Sequence, residues 1–223
     1  MQVNDSSADG VLVCIHDDDI SRVATNADGS DVPSDTVFVS QSNYADLMNY
    51  DFGQKVNICY KGAKLPKLDD FLFYCGKVGM KPIFSLHSNF TDEKWQEIKS
   101  MLTRYGLLNS FTCKGAVVIL ESAYSVFGDE IAFYDTYYNS SQNVDDVIAA
   151  VNASTFAHNK DKVIIEVLCS AATKYDFDQI LAAGYKAGVW DVMDTYGERY
   201  NELIRWGVTE FVDDRNCSYG LNW

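Results

Sequence analysis

The chain is short of proline and basic residues, has no Cys-x-x-Cys pair, and has no long apolar run. Each shortage excludes something. With three prolines in 223 residues and 47% hydrophobic content, it is a folded chain and not a disordered one, long enough to bury one sizeable core. Six cysteines, Cys14, Cys59, Cys75, Cys113, Cys169 and Cys217, are scattered, which favours buried free thiols over a disulfide framework. No segment approaches the roughly 18 apolar residues of a membrane span, so an integral membrane helix is excluded. No signal peptide is visible, which favours a cytoplasmic place. Lys and Arg number 18 against 32 Asp and Glu, a net charge of −14. That balance excludes nucleic acid as a partner, because phosphate backbones demand clustered cations. Sugars, cations and small ligands remain open, as does a local cationic or metal-bearing pocket for a phosphodiester.

Short β-branched runs alternate with helical patterns, the signature of a parallel α/β sheet or barrel. Strands are expected at 11–15, 82–86, 116–120, 163–168, 187–192 and 210–212, with a further candidate at 132–137. Several read as near-continuous apolar runs, as strands buried on both faces do. Helices are expected at 68–78, 92–105, 144–156, 177–183 and 198–206. Thr91 is placed to cap the second, and Gly184 and Gly207 to stop the last two. There is no internal repeat or linker, so residues 1–223 read as one domain. The segment 11–15 reads as a hairpin arm more than a barrel stave. A closed eight-stranded barrel would need one or two strands before Met1, and open barrel edges favour self-association.

The stretch richest in chemistry is Ile15-His16-Asp17-Asp18-Asp19-Ile20-Ser21-Arg22-Val23-Ala24-Thr25-Asn26, behind an Asp9-Gly10 turn. A strand that delivers a His-Asp pair into a polar loop places a general acid or base at a barrel mouth. Asp17 is suited to orient His16. Asp18 and Asp19 are either solvated or cap the following turn.

These residues resemble the glycerophosphodiester phosphodiesterase family. Ala8-Asp9-Gly10-Val11-Leu12-Val13-Cys14-Ile15-His16-Asp17 is similar to its T-x-D-G-x-x-V-x-x-H-D segment, and Ser21-Arg22-Val23-Ala24-Thr25-Asn26 to the continuation. Tyr44-Ala45-Asp46-Leu47 through Asp51-Phe52-Gly53 resembles the family's helix end. Lys64-Leu65-Pro66-Lys67-Leu68-Asp69-Asp70-Phe71-Leu72 is similar to IPTLEEFL. Gly188-Val189-Trp190-Asp191-Val192 resembles V-x-V-W-T-V, and Gly207-Val208-Thr209-Glu210-Phe211-Val212-Asp213-Asp214 the closing G-V-D-G-I-x-T-D. Six segments in the right order and spacing are specific where each alone is not.

The resemblance implies an α/β fold of TIM type, a (β/α) barrel here missing its first one or two strands. It implies a small-molecule phosphodiester as substrate and two histidines as acid and base. It also implies a divalent cation, Mg²⁺ or Ca²⁺, held by carboxylates. His16 falls on the second histidine. The first, in a His-Arg-Gly triplet, would precede Met1, and the Glu-x-Asp metal pair falls on Met1-Gln2-Val3, which carries neither carboxylate. The later acidic-x-Lys motif falls on Ser85-Leu86-His87, with serine at the ligand position and histidine at the cationic one. Metal ligands are therefore not identified in this chain. These departures leave a second reading open, an inactive barrel that binds phosphorylated glycans or lipid headgroups.

The candidate catalytic residues are His16 and Asp17. The candidate substrate-binding residues are Ser85 and His87 at a strand end, Glu121 after the run at 116–120, Glu166 inside the strand at 163–168, and Trp190. A carboxylate inside a buried parallel strand needs a partner, so Glu166 is either a barrel-interior site residue or one arm of an ion pair. Trp190 either walls a pocket or fills the core. His158, beside Asn159 and Lys160, reads as a helix-dipole partner. The aromatic run from Tyr124 to Tyr138 suits either sugar stacking or loop packing.

Overall fold

The structure is a computed structural model that describes residues 5–86, 88–138, 142–192 and 197–212. It divides into two compact units, Met1–Phe111 and Thr112–Trp223.

In the first unit, β1 (Asp5–Ser6) and β2 (Leu12–Val13) form a small antiparallel pair around the Asp9-Gly10 turn. The segment at 11–15 is thus a hairpin arm, as its sequence suggests. Beyond β2 the chain winds through 3₁₀ turns and a short helix, α1 (Tyr44–Leu47). Val13, Ile15, Ile20, Ala24, Val32, Val39, Leu47 and Leu65 close a local apolar core beneath this irregular stretch. Helix α2 (Leu68–Val78) buries Leu68, Leu72 and Cys75 on one stripe and ends at Gly79, whose φ of 74° is left-handed. Strand β3 (Ile83–Ser85) follows. In α3 (Asp92–Arg104), Thr91 accepts a hydrogen bond from the Lys94 amide, and Trp95, Ile98 and Leu102 are buried.

In the second unit, β4 (Thr112–Lys114), β5 (Phe133–Tyr138), β6 (Val163–Leu168), β7 (Lys186–Trp190) and β8 (Glu210–Val212) pair in chain order, all parallel. Helices α4 (Val117–Phe127), α5 (Val144–Asn152), α6 (Lys174–Ala182) and α7 (Glu198–Arg205) connect them. No described helix is long and apolar enough to cross a membrane.

One strand expectation is overturned. Residues 117–120 are helix, the first turn of α4, with Ala116 as its extended N-cap, and the strand before it is the shorter, polar β4. The Val-Val-Ile-Leu run has no period of its own. The buried positions Ile119, Leu120, Ala123 and Phe127 show that it opens a helical stripe. The helix expected at 144–156 stops at Asn152, and a 3₁₀ turn (Thr155–His158) takes over.

Register divides the sheet of the second unit into two faces. Cys113, Tyr134, Thr136, Ile165, Ala187 and Val189 share one face. Tyr134 meets Tyr124 of α4 edge-on and stacks on Phe156, so the helical layer covers this face. The opposite face carries Lys114, Asp135, Tyr137, Glu166, Gly188, Trp190 and Glu210.

Candidate active site

In the first unit, the buried run Leu12 to Ile15 brings the chain up through the core and releases His16 into solvent. The Asp17 carboxylate is hydrogen-bonded to His16 Nδ1 through Oδ1 and accepts from Arg22 Nε through Oδ2. The Arg22 hydrogen bond, with His16 second to it, holds the Asp17 carboxyl below the ordinary carboxylate range. Asp17 is therefore an ionised bridge that fixes the imidazole.

Asp19 takes the capping role left open for it. Its carboxylate accepts from the Ser21 amide at 2.8 Å and from the Thr36 and Val37 amides, both at 3.2 Å. It thereby closes the 3₁₀ turn (Ile20–Arg22) that carries Arg22. Asp51, which the sequence did not single out, supports the neighbouring loop. It accepts from Gly53, Gln54 and Gly62 amides at 2.9, 3.0 and 2.6 Å. These backbone donors, Gly53 foremost, lower its pKa. An Asp two residues before Gly is a local turn signal that could have revealed it.

In the second unit, the Lys114 ammonium is paired with the Glu166 carboxylate, both side chains nearly inaccessible. Asp135 lies beside them, 3% exposed. Burial first, then the negative charge of Glu166, pushes the Asp135 carboxyl well above its ordinary value. Sequence reading missed Lys114 and Asp135, although a charge within each β-run was the available signal. At the sheet's C-terminal edge, Tyr137 and Trp190 meet edge-to-face at 6.2 Å between ring centres. Trp190 Nε1 and Asp135 Oδ1 are buried with no hydrogen-bond partner among the described residues. A cavity of about 590 Å³ opens beyond β5, lined by Ala116, Val117, Thr136, Tyr137, Asn143 and Asp146 among others. Of the residues singled out from sequence, Tyr137 of the aromatic run lines it, and the catalytic and substrate-binding candidates do not.

The remaining candidates separate. Ser85 ends β3 and is half-buried, while His87 lies outside the described residues. Glu121, expected to follow a strand, lies within α4 and accepts from Thr155 N and Oγ1, both at 2.6 Å. It caps the 3₁₀ turn at 155–158. His158 in that turn is hydrogen-bonded to the Thr155 carbonyl at 2.9 Å and to Asp129 at 3.1 Å, and these two partners raise its pKa.

Among the described residues no three His, Cys, Asp or Glu side chains cluster so as to hold a metal ion. Asp135 and Glu166 are two buried carboxylates that the sheet brings together. There Glu166 is neutralised by an ammonium, and burial favours the protonated form of Asp135. Hard divalent cations require several ionised or carbonyl oxygens, so these residues do not fit one.

Residues 5–215 match the Glycerophosphoryl diester phosphodiesterase family. The chain belongs to that family. No curated protein matches it. Among solved structures it is similar to a glycerophosphoryl diester phosphodiesterase of Silicibacter pomeroyi, at 16% identity over 96% of this chain and 79% of that one, TM-score 0.72. A glycerophosphodiester phosphodiesterase of Agrobacterium tumefaciens matches at 17% identity over 96% and 83%, TM-score 0.68. An Oleispira antarctica phosphodiesterase, solved with its product sn-glycerol-3-phosphate, matches at 20% identity over 96% and 79%, TM-score 0.68. These likenesses establish the α/β fold of TIM-barrel type that the sequence implied.

Proposed function

We propose that this family member hydrolyses a glycerophosphodiester, releasing an alcohol and a glycerol phosphate, with His16 as one proton-transfer residue. The observation that carries the proposal is the Arg22–Asp17–His16 relay at the end of β2 in a chain matched to this family over residues 5–215. Asp17 is hydrogen-bonded to Nδ1 and orients the ring, and in this reading the imidazole exchanges a proton with the substrate. The bond from phosphorus to the departing alcohol oxygen breaks, and that oxygen takes a proton. The new bond to phosphorus comes from water or from a neighbouring glycerol hydroxyl, which loses one. In this reading Ser85 and His87, which belong to the same unit as His16, contact the substrate. Glu121 and Glu166, engaged by Thr155 and Lys114, do not take part.

The test is turnover of soluble glycerophosphodiesters by the wild-type chain and by His16→Ala, with Mg²⁺ or Ca²⁺ supplied. General acid–base catalysis contributes about 10²–10⁴-fold, so a loss of that size with unchanged thermal unfolding is expected. Absence of any His16-dependent turnover sinks the reading. Ser85 at an acidic motif position favours the second reading, an inactive barrel for phosphorylated glycans or lipid headgroups. Chelator-insensitive binding of such a ligand without turnover would establish it.

A further inference from the structure

Between α1 and α2 the chain projects a loop whose tip is apolar and whose flanks are basic. Val56, Ile58 and Tyr60 are 75%, 66% and 61% exposed. Scattered exposed apolar residues need no explanation, but three within five residues of one loop concentrate apolar surface there. Residues 52–68 hold Lys55, Lys61, Lys64 and Lys67 and no Asp or Glu, in a chain of net charge −14. Lys55 pairs with Asp31 at 3.1 Å. Lys64 donates to the Tyr50 carbonyl at 3.1 Å and Lys67 lies 4.8 Å over the Tyr44 ring. The Lys64 charge also faces the Asp51 carboxylate, whereas Lys67 meets a neutral ring and Lys61 is exposed.

The loop is held in place at its base. Asp51 gathers the Gly53, Gln54 and Gly62 amides, and Phe52 N donates to the Ala63 carbonyl at 2.9 Å. A Cβ on Gly53 would stand 1.9 Å from the Tyr60 carbonyl oxygen, so only glycine lets the two arms close. Lys55 Nζ donates to the Ser21 carbonyl, next to the Arg22 that holds Asp17. A preformed tip with its apolar side chains left in water has lost its ordering entropy in advance of a partner.

We propose that residues 55–64 dock this protein on an anionic lipid surface, with Val56, Ile58 and Tyr60 entering the headgroup boundary and Lys61 and Lys64 meeting lipid phosphates. A bilayer accepts protruding side chains of any shape, whereas a protein partner must offer a matching groove. Apolar insertion and juxtaposed lysines are the two forces that interfacial binding combines. The overall negative charge opposes long-range attraction, so binding is short-ranged and sensitive to salt. Docking stands independently of the phosphodiesterase reading. Where both hold, the substrate class narrows to a phosphodiester borne by a membrane lipid.

The test is co-sedimentation of the full chain with phosphatidylglycerol-containing vesicles and with phosphatidylcholine vesicles. Binding to the anionic vesicles is expected, weakened by salt. Val56→Asp/Ile58→Asp should bind at least about tenfold more weakly, given what burying one aliphatic side chain contributes. Lys61→Glu/Lys64→Glu should lose the preference for anionic lipid. Cys59, exposed at the tip, gives a readout that needs no change in the patch. In a Cys217→Ser background, a polarity-sensitive dye on Cys59 should shift to the blue when phosphatidylglycerol vesicles are added. No binding, binding unaltered in both variants, or an unshifted dye overturns the proposal. So does a variant effect confined to self-association measured without lipid.

Discussion

Glu166 extends into the space that Gly188 leaves beside it: a Cβ on Gly188 would stand 2.7 Å from Glu166 Cγ and 3.1 Å from Ile164 Cγ2. The two residues are register partners on β6 and β7. Gly188→Ala should therefore destabilise the second unit by about 1–3 kcal/mol, the ordinary cost of overpacking. Denaturant unfolding would show it, and an unchanged midpoint would mean that Glu166 can swing aside.

Glu166 also faces Lys114, and removing one member of a buried pair strands the other. Lys114→Met should cost about 3–5 kcal/mol, and Glu166→Gln a similar amount. The double variant should recover most of that loss, because no lone charge remains. Additive losses in a double-mutant cycle would refute the coupling.

Asp135 gives the pair a pH dependence of defined sign. Its folded pKa is raised, so the folded state binds a proton that the unfolded state releases. Its stabilising contribution is complete below the ordinary carboxylate range and is lost as pH rises toward the folded value. Asp135→Asn, which imitates the protonated acid, should flatten that part of the stability–pH curve and unfold no earlier than wild type at neutral pH. Earlier unfolding of the variant would show that Asp135 is ionised in the fold.

Asp17→Asn keeps the shape of the relay and removes its charge. With Arg22 and His16 no longer sharing an anion, the imidazole loses its fixed orientation. Turnover should fall by roughly tenfold or more while the thermal midpoint barely moves, since His16 and Arg22 are exposed. A large stability loss with intact turnover would assign Asp17 to the fold instead.

The strands that the sequence shows plainly are those whose both faces are apolar over most of their length. Val163 to Leu168 is legible because only Glu166 interrupts it. β4 escaped because its three residues, Thr112, Cys113 and Lys114, include a charge that only Glu166 explains, 52 positions away. The apolar run after it then took the strand's place. Local spacing carries capping and stripe information, so α2 was readable to the residue. It carries nothing about which distant carboxylate will neutralise a lysine, and so half of the charged sheet face was invisible. The hydrogen bond between Asp17 and His16, and the capping of Ser21 left open to Asp19, were legible because each joins near neighbours in the chain. Arg22 lay in the quoted motif, yet its place on Asp17 needed the turn in three dimensions.

That turn is closed by one carboxylate together with backbone hydrogen bonds. Asp19 clasps Ser21 on one side and Thr36 and Val37 on the other, and backbone bonds from Ile20 N to the Val37 carbonyl and from Val39 N to the Asp18 carbonyl close the same loop. Burial pushes the Asp19 carboxyl up, but the hydrogen bonds prevail and its pKa is lowered. The clasp therefore outlasts the pH at which free carboxylates take up protons and opens only in stronger acid. Opening loosens the exposed segment at 33–36, which a protease can then enter more readily, while the backbone bonds at its end and the hairpin beneath stay whole.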